Sequence, residues 1–307
     1  MAKLQRYLLL LCAAILVCLL SVFAVNIYVD PYQLTRAPVH KGYDEFIPQG
    51  NASLVLNYKQ QQLAVAHSST ALIGSSRTQV GYDTCDLGVY KTSMVGIDTS
   101  HVLALAKVAI DTPTYSSLVM ELGGLFNTYD ASVTLNSFEK VTALFSADML
   151  YQSILKLLNS PAELSSDDTE CEPLQSTDRF SENTLLRDKI KRLYHDSVFG
   201  PELTHKLSAS LTQIAQFCAA SGRDEQRPLR IKLIVGPLNH DIFDEAYIEQ
   251  VTRLSEAAIT ASQHPACPVS LYMSPISAKT VFNLNPQRPL TTLFLLVTEK
   301  LAVPSWN

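Results

Sequence analysis

The chain has 307 residues, of which 17% are charged and 47% hydrophobic, and its formal net charge is −5. That length is enough to bury a sizeable core in one large domain or two small ones. The acidic balance and the absence of any long Lys/Arg run exclude a nucleic-acid-binding surface. No Cys or His lies in a spacing that suits zinc, and no motif asks for a cofactor.

The N-terminus carries the first strong signal. Lys3 and Arg6 precede "YLLLLCAAILVCLLSVFAV", residues 7–25, which contain no charge. At helical rise this run reaches about 28 Å, close to the hydrocarbon thickness of a bilayer. Residues 1–6 are expected as a cytoplasmic tip and 7–25 as an uncleaved transmembrane anchor in the lipid bilayer, with the main domain periplasmic or otherwise extracytoplasmic. A cleaved signal peptide is the rival, since Val22-Phe23-Ala24 resembles a cleavage site, although the apolar run is long for one. Cys12 and Cys18 lie in this segment as packing residues. Cys85, Cys171, Cys218 and Cys267 allow three pairings that sequence does not rank.

Residues 26–60, beginning "NIYVDPYQL", read as a juxtamembrane linker, and "SLVLNYKQQQLAVAHSS" as a helix or an extended approach to the first strand. The main domain is expected over 61–307. "ALIG", 71–74, is a short apolar strand, and "VYKTSMVG", 89–96, is a second. "DTSHVLALAKVAIDTP" has the apolar spacing of an amphipathic helix, with Asp98 or Ser100 as its cap. "TYSSLVMELGG", 114–124, reads as a strand buried on both faces. Residues 131–222 break this rhythm as a helical insertion interrupted by the acidic, Ser-rich "SPAELSSDDTECEPLQSTDRFSE". "LRIKLIVGPLNH" returns to a strand, "DEAYIEQVTRLSEAAITASQ" is helical, and "CPVSLYMSP" is a fifth strand. The alternation predicts an α/β fold whose mostly parallel sheet is covered by helices.

In such sheets ligands bind at the carboxyl ends of the strands. Three strand ends carry suggestive residues: Gly74-Ser75-Ser76-Arg77, then Gly96, then Gly123-Gly124-Leu125-Phe126-Asn127. A Ser on a tight turn exposes its hydroxyl, and a Gly N–H and an Asn amide from neighbouring ends complete a donor set for a tetrahedral oxyanion. The bland alternative is a capping Ser at a strand-to-helix turn. Arg77 suits a substrate carboxylate or phosphate, or a surface ion pair.

"ALIGSSR" resembles the first block of the SGNH (GDSL-like) hydrolase superfamily, in the variant found in membrane-anchored, exported acyltransferase-like proteins. "NIYVDPYQL" after a single anchor is similar to bacterial proteins of this type. The resemblance implies a three-layer, SGNH/flavodoxin-like fold, Ser76 as nucleophile, and Gly96 and Asn127 as oxyanion donors. It implies an acyl or acetyl ester transferase or esterase acting on a cell-envelope glycan. The alternative is a non-catalytic envelope protein of the same fold that binds glycan or assembly proteins. In the family an Asp and a His about three residues apart follow the last strand. Here no Asp follows Asp244 and no His follows His264. Three explanations stay open: an altered chain end, a lost activity, or another His, for which His240 in "GPLNHDIF" is the candidate base.

Overall fold

The computed structural model describes residues 2–37, 48, 50–75, 78, 89–94, 97–125, 135–158, 202–234 and 245–272. In chain order the elements are α1 (Ala2–Val29), α2 (Ala52–Val65), β1 (Thr70–Ser75), β2 (Val89–Met94), α3 (Thr99–Asp111) and β3 (Ser117–Glu121). A single 3₁₀ turn (Leu122–Leu125) follows, then α4 (Ser137–Ala143), α5 (Ala147–Leu158), α6 (Glu202–Ala220), β4 (Arg230–Ile234), α7 (Glu245–Ala261) and β5 (Val269–Tyr272). They fall into two compact units: residues 1–65 with 132–171, and residues 66–131 with 172–307.

The second unit is built on a parallel five-stranded sheet of order β2-β1-β3-β4-β5. Its central strands β1 and β3 are short apolar runs because both faces are buried. Leu72, Val89, Val119 and Ile234 form a buried cluster on one face. Ala71, Ile73, Leu118, Met120 and Leu233 alternate with them and are fully buried too. A strand with one wet face would place polar side chains at every second position. The crossovers from β2 to β3, β3 to β4 and β4 to β5 all run in the same direction, and right-handed connections put their helices on one face. Accordingly α3 packs on β1 and β3, α7 on β5, and α6 lies between α3 and α7.

Helix α3 forms where the sequence predicts it. Its buried stripe of His101, Val102, Leu105, Ala106 and Ala109 has helical spacing. Its last carbonyls would otherwise be orphaned, and Arg223 takes them up. The Arg223 guanidinium donates to the carbonyls of Ile110 (2.7 Å), Tyr115 (2.9 Å), Ala109 (3.2 Å) and Thr112 (2.6 Å). Arg223 therefore fastens the end of α3, the entrance to β3 and the loop after α6. A disulfide joins Cys218 in the last turn of α6 to Cys267 before β5, which selects one partner for Cys218 from the alternatives left open by the sequence.

The first unit contains α1, α2, α4 and α5. Helix α1 is apolar and long enough to cross a membrane. It continues through Asn26 to Val29, into the segment expected as a linker, and α2 begins within that segment, where a helix or extended approach was expected. The helix stops at Asp30, whose φ of +42° is in the left-handed region. A short polar side chain tolerates that conformation. The Asp30 carboxylate accepts the backbone N–H groups of Leu34 (2.7 Å), Thr35 (2.9 Å) and Arg36 (3.2 Å). Arg36 turns back to donate to the Tyr28 carbonyl. Below this turn Tyr32, Leu54, Tyr58, Leu144 and Met149 form a buried cluster. The Tyr32 hydroxyl donates to Asp148 (3.3 Å), and burial, then the neighbouring carboxylate, push its phenol above the ordinary range.

The stretch expected as one helical insertion is divided between the two units. Helices α4 and α5 belong to the first, whereas α6 is the crossover helix between β3 and β4. Helical period alone does not say what a helix packs against. The acidic Ser-rich segment lies outside the described residues.

Replacing Arg223 tests the tie at the end of α3. Arg223→Ala is expected to lower stability by about 1–3 kcal/mol, since its acceptors lose their donors. Arg223→Lys should recover little, because an ammonium cannot span four carbonyls as the planar fork does. Urea midpoints of the three proteins measure both effects.

Candidate functional site

The chain leaves β1 toward β2 on one side, while β3 lies on the other. This makes β1/β3 the topological switch point, where open α/β sheets hold their ligands beyond the carboxyl ends of the strands. The register aligns those ends: Ser75 with Met94, Ile73 with Met120, and Glu121 with Ile234.

Ser76, Arg77, Gly96, Asn127 and His240 lie outside the described residues. Each follows a strand that ends at this common edge. Ser76 comes directly after the last residue of β1, and Gly96 two residues after the last of β2.

What is described at the edge is a set of polar contacts around Glu121. Its side chain is at the end of β3 and only 1% exposed. Glu121 Oε2 accepts the Ser75 N–H (2.8 Å) and the Thr78 hydroxyl (2.5 Å). In sequence these donors bracket residues 76 and 77. A buried carboxyl group is costly unless such donors meet it. Gly74 makes room for the arrangement, because a Cβ there would overlap the Thr78 side chain. In the 3₁₀ turn after β3, a Cβ on Gly124 would lie 2.7 Å from Val102 Cγ2. That turn therefore rests on the first turn of α3.

The second group begins α3. Asp98 is the N-cap, extended at φ −112° and ψ 177°. Its Oδ1 accepts the His101 N–H (2.9 Å) and the Ser100 hydroxyl (2.6 Å), and it faces His101 Nδ1 at 2.5 Å. The two side chains are 2% and 8% exposed respectively. Burial opposes ionisation of Asp98, but the hydrogen bonds from Ser100, the His101 amide and the His101 ring outweigh it. They hold its carboxyl below the ordinary aspartate value. An ionised Asp98 fixes the ring proton on Nδ1, so Nε2 of the neutral imidazole is the acceptor nitrogen. This is the relation between orienting acid and base that serine hydrolysis requires.

Sequence reasoning took Asp98 as a cap and passed over His101 and Glu121. The signals were present. Asp98 and His101 have the Asp-x-x-His spacing sought after the last strand, and Glu121 is the one charge in the run "SLVMELGG". No family model matches the chain, and neither does any curated protein or solved structure.

The Asp98 contacts fix a pH dependence. A carboxyl whose pKa is lowered on folding stabilises the fold above its unfolded value, and that contribution is lost as pH falls through the folded one. Stability should therefore fall below about pH 4, and Asp98→Asn, which still caps, should flatten this limb. Asp98→Ala should cost about 0.5–2 kcal/mol at pH 7 through loss of the cap. Urea unfolding from pH 2.5 to 7 reads both changes.

Proposed function

We propose that the chain is an exported, membrane-anchored, SGNH-like acyltransferase or esterase that acts on an ester-linked acyl group of a cell-envelope glycan through Ser76. The observation that carries this reading is the Asp98–His101 pair at the carboxyl edge of the sheet. It offers an oriented imidazole beside the strand that leads into Ser76, and it replaces His240 as the base. The parallel order with its switch at β1 and β3 supports the same location. The Cys218–Cys267 disulfide and the apolar α1 support export and anchoring, and Lys3 and Arg6 before the apolar run favour a cytoplasmic N-terminus.

The reaction has two halves. His101 Nε2 takes the Ser76 proton as Oγ attacks the ester carbonyl, and the Gly96 N–H and Asn127 amide receive the oxyanion. The tetrahedral species expels the alkoxide, which takes the proton from the imidazolium, and leaves acyl-Ser76. A glycan hydroxyl or water then gives its proton to Nε2 and attacks the acyl carbon. Ser76 departs with that proton. Arg77 holds an anionic group of the substrate, while Glu121 fixes the residues on either side of the nucleophile.

A second reading has a specific observation in its favour. The His101 ring is almost closed to solvent, and capping alone accounts for Asp98. On that reading the domain is non-catalytic and binds glycan or an assembly partner. A fluorophosphonate separates the two. The enzyme should label once, Ser76→Ala should abolish labelling, and His101→Gln should slow it about 10²–10⁴-fold. A folded wild-type protein that does not label, yet retains glycan in a pull-down, is the non-catalytic protein.

A further inference from the structure

Helices α4 and α5 both present large apolar side chains outward. On α5 the inward face carries Met149, Gln152 and Ser153, all buried. The outward face carries Tyr151, Ile154 and Leu158, at i, i+3 and i+7, and Leu158 is 75% exposed. The segment containing α4 repeats the pattern with Phe138, Val141 and Phe145, of which Phe138 is also 75% exposed. An apolar stripe of this extent is a binding surface for something that is not water.

Its position says what. Helix α1 is exposed all round from Lys3 to Ser21, a stretch of about 28 Å at helical rise. Packing against the rest of the unit begins at Phe23, whose ring stacks on Phe145 at 4.6 Å. Phe145 therefore sits at the level where α1 ceases to be bare. Tyr7, within that stretch, and Tyr28, seven residues beyond it, are 71% and 74% exposed and about 31 Å apart along the helix. Such pairs of aromatic residues mark the two headgroup levels.

The junction between α1 and the two helices is also fixed. The buried Asn26 amide donates to the carbonyls of Leu144 (2.8 Å) and Ser146 (3.4 Å), and its oxygen accepts the Ser153 hydroxyl (3.0 Å). Lys156 Nζ donates to the Val29 carbonyl (3.2 Å) at the end of α1. These bonds set the stripe at one height and angle to the helix.

We propose that α4 and α5 lie in the headgroup–acyl boundary of the same bilayer that α1 crosses, with Phe138, Val141, Phe145, Tyr151, Ile154 and Leu158 facing the lipid. The proposal rests on α1 spanning the membrane. The exposed stripe is then continuous with the lipid-facing surface of the span, and burying it by the usual 5–10 Å completes the membrane contact. The unit serves as a footing at the membrane surface in addition to its single helix.

The test uses the full chain in phosphatidylcholine/phosphatidylglycerol vesicles, with Trp306→Phe removing the native tryptophan. Single tryptophans are introduced as Leu10→Trp, Phe138→Trp and Leu158→Trp, and lipids brominated at shallow or deep acyl positions act as quenchers. Positions 138 and 158 should be quenched at least two-fold, more by shallow than by deep bromines, and position 10, within the span, at least two-fold as well. Quenching at 10 without quenching at 138 and 158 overturns the lipid assignment and leaves the anchor standing. If emission there is also blue-shifted, a second copy or another protein covers the stripe. No quenching at 10 overturns the span, and the proposal with it.

Discussion

A nearly fully buried carboxyl group governs the carboxyl edge of the sheet. Glu121 ends β3 and is bonded both to the last residue of β1 and to Thr78. Ser75 and Thr78 are 46 and 43 residues from Glu121 in sequence, so one side chain joins segments that local structure alone would not hold together. The arrangement depends on Gly74, which follows the residue paired with Met120 and has no side chain to fill the space. Loss of either feature would expose a desolvation cost that apolar packing nearby does not repay. The strictness of this corner suits a place where geometry must be kept, which is what chemistry at residue 76 would demand.

The first unit uses the same physics at the end of α1. An apolar helix must stop somewhere, and its last carbonyls and the following amides need partners. Asp30 collects the amides, Arg36 and Lys156 take up carbonyls, and Asn26 fixes the helix sideways to α5 and the turn before it. Buried Gln62 donating to Gln33 continues the network to α2. Five kinds of polar side chain thus satisfy the end of the helix and its surroundings, and three of the residues, Asn26, Asp30 and Gln33, lie in "NIYVDPYQL".

These two regions show why the sequence was legible in some places and not in others. β1 and β3 are recoverable because strands buried on both faces are apolar runs, and α3 and α7 because one buried stripe gives a helical period. α6 has the same period, yet its partners, α3 and α7, are far away in sequence, so it was grouped with α4 and α5. Polar content made residues 26–37 look like a linker, whereas Asn26, Asp30, Tyr32 and Gln33 are buried and hydrogen-bonded. Glu121 escaped for the opposite reason: a lone charge in an apolar strand reads as noise until its donors are known. His101 was hidden by the helix period, which assigns a buried stripe residue to the core. Ser76, Arg77, Gly96, Asn127 and His240 rest on strand-end chemistry alone and lie outside the described residues; what the sheet defines is the edge at which the strands preceding them end.

The Asn26 contacts bear on how a water-soluble fragment should be cut. Hydropathy alone would end the anchor near Val25 and invite truncation at Tyr28 or later. Such a fragment would lose the Asn26 amide, leaving the Leu144 and Ser146 carbonyls without their donor and the Ser153 hydroxyl without its acceptor. The final turns of the apolar helix are an internal strut of the folded body, so a stable truncated form has to begin ahead of Phe23 and carry some grease with it.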